Sequence, residues 1–246
     1  MAAKIRFLYN FEFDSATITA SSEVTTLPAA NVVHKLAGRV WRTSGASFEW
    51  IKFDLGNAKQ IKEVAIVNHN LTSGATITLE ANSLDAWTSP PFSIAIPWRQ
   101  TMVIFLDQTY QWWRITFADT ENPDGYIEVG RICAGVYYEP GRNIINDYHK
   151  IYVDPSTSFE TPGWQRYYQL KRLYWQYKVA FRDLEEPEQD NLLTMYKAIR
   201  NTEPVIVSID PDKPEDTIYA ELKTPLAYAV RLLNYANFEL VFEEKM

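Results

Sequence analysis

The 246-residue sequence predicts a mainly β protein, an antiparallel sandwich followed by a smaller β-rich module with one helix. Three observations carry this reading. Short segments of period-two alternation, separated by turn residues, run from the start to about residue 140. No helical periodicity interrupts them. Aromatic residues reach 14%, with eight Trp and fifteen Tyr, and these side chains favour strands and supply contact area at interfaces.

Taken in order, Phe48-Glu49-Trp50-Ile51-Lys52-Phe53-Asp54-Leu55 alternates and stops at Gly56-Asn57. A second strand runs from Ile61 to Val67 and ends at Asn68-His69-Asn70. After the Thr72-Ser73-Gly74 turn, Ala75 to Ala81 alternates again. Met102 to Leu106 is a continuous apolar run, which fits a strand buried on both faces. Trp112 to Phe117 follows, closed by turn-rich Asp119 to Gly125, and Tyr126 to Ile132 begins the last strand of this half. Strands at such spacing fit a sandwich or jelly roll.

Glu139-Pro140-Gly141-Arg142 marks a boundary, so the expected domains are residues 1–142 and 143–246. The second contains strands at Tyr148–Val153 and Arg166–Leu173 and a third at Leu173–Phe181, either separate from the second or continuous with it. Its helix spans about 185–200. Acids and Pro187 occupy the first turn, Leu192, Leu193, Met195, Tyr196 and Ile199 form an apolar face, and Lys197 and Arg200 lie near the end. Pro204–Ile209 returns to strand, Asp210–Asp216 is a polar turn, and Phe238–Glu243 is the closing strand.

A net charge of −7, with no Lys/Arg run, argues against nucleic acid as a partner. The single Cys133 lies in an apolar run and reads as a small buried hydrophobe. The N-terminus lacks the apolar core of a signal peptide, and no apolar stretch approaches the ~20 residues of a spanning helix. The expectation is a chain made in a reducing cytoplasm, without membrane insertion.

The first half resembles a discoidin-like (coagulation-factor type C, galactose-binding-like) jelly-roll β-sandwich. The residues that carry the resemblance are Ala29-Ala30-Asn31-Val32-Val33, Trp41, Trp50-Ile51-Lys52-Phe53-Asp54-Leu55-Gly56, Val64 and Trp113-Arg114-Ile115, over roughly residues 20–138. The bridging cysteines of the secreted animal members are missing. Asn68-His69-Asn70-Leu71 and the tract from Asp124 to Ile132 also resemble tail proteins of tailed phages and prophages. Residues 143–246 resemble a tail-tube-like or distal-tail-like module.

These resemblances imply a structural component of a phage tail tip or baseplate, a distal-tail-like or minor tail protein. It would be made in the host cytoplasm and located in the virion tail. Its partners would be further copies of itself in a homo-oligomer, the tail tube, the hub, the end of the tape measure, and a host-surface glycan. The alternative is a carbohydrate-binding module for host receptor recognition, and a glycosidase ranks last.

The search for chemistry is negative. The three His are far apart, and there is no HExxH, Cys pair, G-x-S-x-G, Walker loop or G-x-G-x-x-G. The expectation is no catalytic residue, no metal and no cofactor. Carboxylates alone do not make a glycosidase: Asp54 reads as a turn cap, and Glu185, Glu186 and Glu188 suit a helix start. Jelly-roll carbohydrate modules of this family bind through loops at one end, with an aromatic platform and planar polar groups. That places His34, Arg39, His69, Asn70 and Trp87 as candidate ligand-binding residues. Ordinary readings stand beside them. Trp41 fits core packing, Asn68 and Asn70 fit strand-end caps, and Trp87 fits a contact with another subunit.

Overall fold

A computed structural model describes residues 4–141, 148–232 and 235–245. The protein is mainly β. Its strands are β1 (Arg6–Leu8), β2 (Thr17–Ala20), β3 (Trp41–Arg42), β4 (Glu49–His69), β5 (Thr76–Asn82), β6 (Phe92–Ala95), β7 (Thr101–Ala118) and β8 (Glu128–Gly135). They continue with β9 (Tyr148–Val153), β10 (Thr157–Glu160), β11 (Arg166–Gln169) and β12 (Tyr174–Glu185). Helix α1 (Glu186–Ile199) precedes β13 (Pro204–Ser208), β14 (Thr217–Leu222), β15 (Ala227–Leu232) and β16 (Tyr235–Glu244). Two compact units result: Met1–Glu139 with Ile206–Tyr219, and Pro140–Val205 with Ala220–Lys245. A segment late in the sequence thus returns to the first unit.

In the first unit, β4 pairs antiparallel with β7 along almost its whole length, from Glu49↔Phe117 to Val67↔Thr101. The start of β4 also pairs with β2, and the end of β7 with β5. The end of β4 pairs instead with β8, so this long ribbon contributes to two layers. One core joins them. Ile51, Phe53, Trp113 and Ile115 from the first layer share a cluster with Val64, Ile66, Ile132 and Ala134 from the second. Trp41 is fully buried in the same core, the packing role expected of it, and its indole Nε1 donates to the Ser22 carbonyl at 3.0 Å.

Two pairs of expected strands are single strands. Gly56 and Asn57 do not end the first; the chain passes through a register shift between Asp54 and Lys59, with Gly56 at φ 73°. That positive φ is the conformation glycine adopts without strain, so a glycine that signals a turn here makes a bulge. The Asp54 carboxylate accepts the Gly56 amide at 2.8 Å, as a cap should. The runs at 102–106 and 112–117 fuse likewise into β7. Of the two arrangements open for Arg166 to Phe181, the separate one holds, with β11 and β12 as distinct strands.

The outer face of the second layer is sealed. Leu8, Ala65, Val67, Val103, Cys133, Ile206 and Tyr219 form a second small core there. β1 pairs with β13 beside it, Leu8 opposite Ile206, so the N-terminal strand packs within its own unit. A Cβ on Gly135 would overlap the Asn10 carbonyl, which is why a residue without a side chain is needed there. Cys133 is fully buried, and burial pushes its thiol up to about 12.

In the second unit, β14 (through Ala220–Leu222), β16, β12 and β9 form an antiparallel sheet, with β15 also on β16. Helix α1 buries Leu192, Met195 and Ile199; Pro187 stands in its first turn between Glu186 and Glu188, where the helix dipole favours acids. β10 and β11 pair only with each other among the described residues.

Candidate functional site

Alternation decides which side chains reach the outer face of the first layer. With Ile51, Phe53, Trp113, Ile115, Ile77 and Leu79 in the core, Trp50 and Lys52 of β4, Trp112 and Arg114 of β7, and Glu80 of β5 point outward. Register then sets neighbours: Lys52 lies opposite Arg114, which lies opposite Glu80, and Asp54 lies opposite Trp112. Two facing cations would repel. Carboxylates on either side offset that repulsion.

Lys52 Nζ donates to both Asp85 oxygens at 2.9 Å. Arg114 Nε donates to Glu80 Oε2 at 2.6 Å, and its Nη2 reaches the Trp87 carbonyl at 3.5 Å. Each cation also faces an indole. Lys52 Nζ lies 5.0 Å from the Trp50 ring centroid and 5.9 Å from that of Trp112, while the Arg114 guanidinium lies 4.6 Å from Trp87. Trp87 Nε1 donates to Asp85 within the β5–β6 loop, and the Lys52–Asp85 pair ties that loop to the sheet. Hydrogen bonding from Lys52 holds the Asp85 carboxyl below its ordinary range, so it stays ionised. All three indoles are half-buried, each fixed at one side and open at another.

Of the five residues expected to bind, only Trp87 joins this face. Asn70 is a clamp: its Nδ2 donates to Asp124 at 2.9 Å and to the Tyr126 carbonyl at 3.0 Å, while its Oδ1 accepts the Glu128 amide at 2.7 Å. The His69 ring meets Arg99 O through Nε2 at 2.8 Å and lies edge-on to Trp98. Burial lowers its pKa, so the imidazole is neutral near pH 7. His34 accepts the Leu36 amide on Nδ1 at 3.1 Å, and Arg39 is exposed on the same loop. Among the described residues no hydrogen bond, ion pair or ring contact links these four to Trp87.

The residues that surround Trp87 were readable in principle. Trp50-Ile51-Lys52 and Trp112-Trp113-Arg114 repeat one pattern, an aromatic and a cation two positions apart on the outward side of alternating strands. Among the described residues no group of three or more His, Cys, Asp or Glu could hold a metal. No described helix is long and apolar enough to cross a membrane.

Residues 11–104 match the family described as the XRCC1 N terminal domain, which is less than half of the chain. No curated protein matches. Three similar solved structures are carbohydrate-binding modules. One is the family 32 module of Clostridium perfringens NanJ in complex with galactose, at 14% identity over 54% of this chain and 99% of that one, TM-score 0.41. Another is chitosan-binding module 1 of a Paenibacillus chitosanase/glucanase, at 18% identity over 52% and 100%, TM-score 0.41. The third is the Streptococcus pneumoniae fucose-binding module SpX-3, at 14% identity over 52% and 99%, TM-score 0.43.

Proposed function

We propose that the first unit is a non-catalytic carbohydrate-binding module that works through the outer face of β4, β7 and β5. The observation that carries this is the half-buried set Trp50, Trp87 and Trp112 interleaved with Lys52 and Arg114. A sugar ring buries its C–H face against an indole, and directional donors beside it select hydroxyl positions. Arg114 has five N–H groups, of which two are engaged in described hydrogen bonds, so donor capacity remains. The paired carboxylates keep both cations in place before any ligand arrives, which lowers the ordering cost of binding.

Titration calorimetry against a panel of hexose and hexosamine oligosaccharides, beginning with galactose, tests this reading. Trp87→Ala and Trp112→Ala should each weaken saturable binding about tenfold, with the fold intact by circular dichroism. Binding unchanged in both variants would remove this face from the site. Turnover of a labelled polysaccharide would make the protein an enzyme instead.

A second reading is a structural component of a tailed-phage tail tip or baseplate, bound to other tail proteins and to copies of itself in the virion. Its support is the sequence resemblance together with the exposed aromatic residues of the second unit, Tyr152, Phe159, Trp164, Tyr167 and Tyr168. The two readings are compatible, since one concerns the first unit and the other the second.

A further inference from the structure

We infer that the β10–β11 hairpin is a docking surface for a second copy of this chain, with Trp164 at its apex as the anchor. This deepens the assembly reading by assigning it a surface, and it is independent of glycan binding.

Every residue of β10 and β11 is exposed, and the two strands pair only with each other among the described residues. A two-stranded hairpin without a covering layer is marginal in water. This one carries Phe159, Trp164, Tyr167, Tyr168 and Leu170, all exposed, with Trp164 at 85% and Leu170 at 83%. Phe159 and Tyr167 stack across the strands at 5.1 Å on one face. Tyr168 shares the other with the Glu160–Arg166 ion pair.

The apex is the most telling part. The Trp164 amide donates to the Thr161 carbonyl and the Thr161 amide to that of Gln165, both at 2.9 Å. This is a tight turn followed by one left-handed residue, a position that suits glycine. Here it holds Trp164 at φ 61°, with Gly163 one place earlier. A bulky residue there strains the backbone and exposes an indole, a combination without benefit to the isolated chain.

Area and charge identify the occupant. The exposed parts of the five apolar residues amount to about 700 Å² over both faces of the hairpin, so a partner that envelops it covers an area close to the ~800 Å² that each side contributes to a stable interface. Residues 157–172 carry Arg166, Lys171 and Arg172 against Glu160, a net +2 in a chain of net −7. The rest of a second copy is therefore strongly acidic and complementary to this hairpin. Tyr, Trp and Arg are also the residue types enriched in protein interfaces.

The test is sedimentation velocity of the full chain across the micromolar range. The wild type should self-associate. Trp164→Gly, which relieves the turn while removing the indole, should weaken association about tenfold or more with an unchanged or higher unfolding midpoint. Tyr168→Ser, away from the turn, should weaken it in the same direction. Association undiminished by both variants overturns the hairpin assignment and leaves assembly standing. A monomer at every concentration overturns both. Monomeric protein whose Trp fluorescence shifts only with phosphatidylcholine vesicles would overturn the protein partner in favour of a membrane interface.

Discussion

The two ends of β4 treat charge in opposite ways. At its start, the outward residues Trp50 and Lys52 meet water, and Lys52 is held between two indoles and a bidentate carboxylate. Toward its end, the outward residues Glu63, Ala65 and Val67 are sealed from solvent. Glu63 is fully buried, and neither carboxylate oxygen has a hydrogen-bond partner among the described residues. Burial pushes its carboxyl up to about 8, against a smaller downward pull from Arg6, so it is largely neutral at pH 7. Nearby Arg131 is also buried and bonds Asp14 at 2.8 Å beneath Phe11, with Nε and Nη1 unpartnered among the described residues. Along one strand, the exposed charges are ordered by partners and the buried ones are enclosed by a covering segment. Only the first arrangement leaves anything for a ligand to reach.

Four measurements would break or sharpen that contrast. The largest effect belongs to Glu63. Its folded pKa lies above the unfolded one, so its stabilising contribution is full below about 4.5 and is lost as pH rises through about 8. The span is on the order of 5 kcal/mol. Urea titrations at pH 5 and pH 9 should show Glu63→Gln losing far less stability between them than the wild type. Next is Asp14→Ala, which leaves Arg131 a buried cation without its partner and should cost about 3 kcal/mol by the same titration. Third, Gly135→Ala forces the Asn10 backbone away and should cost about 2 kcal/mol, with earlier amide exchange in residues 8–14. The smallest is Lys52→Met, at the open end, which should change thermal stability by less than about 1 kcal/mol. If Lys52→Met proved as damaging as Asp14→Ala, the open face would be structural and the binding proposal would weaken.

Much of this was legible in the sequence because it is local. Period-two alternation gave the inward set Ile51, Phe53, Ile115 and Phe117, and acids with Pro187 gave the start of α1. Two kinds of information were not local. Gly56 punctuates the chain whether it ends a strand or bends one, so the continuity of β4 could not be read from it. The placement of Tyr219 in the first unit, where its hydroxyl donates to the Lys35 carbonyl at 2.7 Å, depends on a contact that no window of neighbouring residues contains. The candidate face was half legible. Loop position singled out Trp87, but a resemblance centred on Trp50 and Lys52 marked them as part of a fold motif and drew attention from the direction they face. For Asn70 the strand-end cap reading describes its bonds, and His69 likewise bonds the backbone of its own surroundings, at Arg99.

The pairing of Leu8 with Ile206 also has a consequence for how the protein is made. The ribosome releases β1 first, yet its partner strand is complete only when Ser208 has emerged. At roughly 5–20 residues per second that is a wait of roughly 10–40 s, long compared with the collapse of a nascent domain. During that interval Leu8 lacks its partner Ile206, and the apolar patch around Ala65, Val67 and Cys133 lacks Ile206 and Tyr219. The first unit must therefore finish folding after the Pro140–Val205 stretch of the second has been synthesised, and a chaperone that shields this patch during translation should raise the yield of native protein.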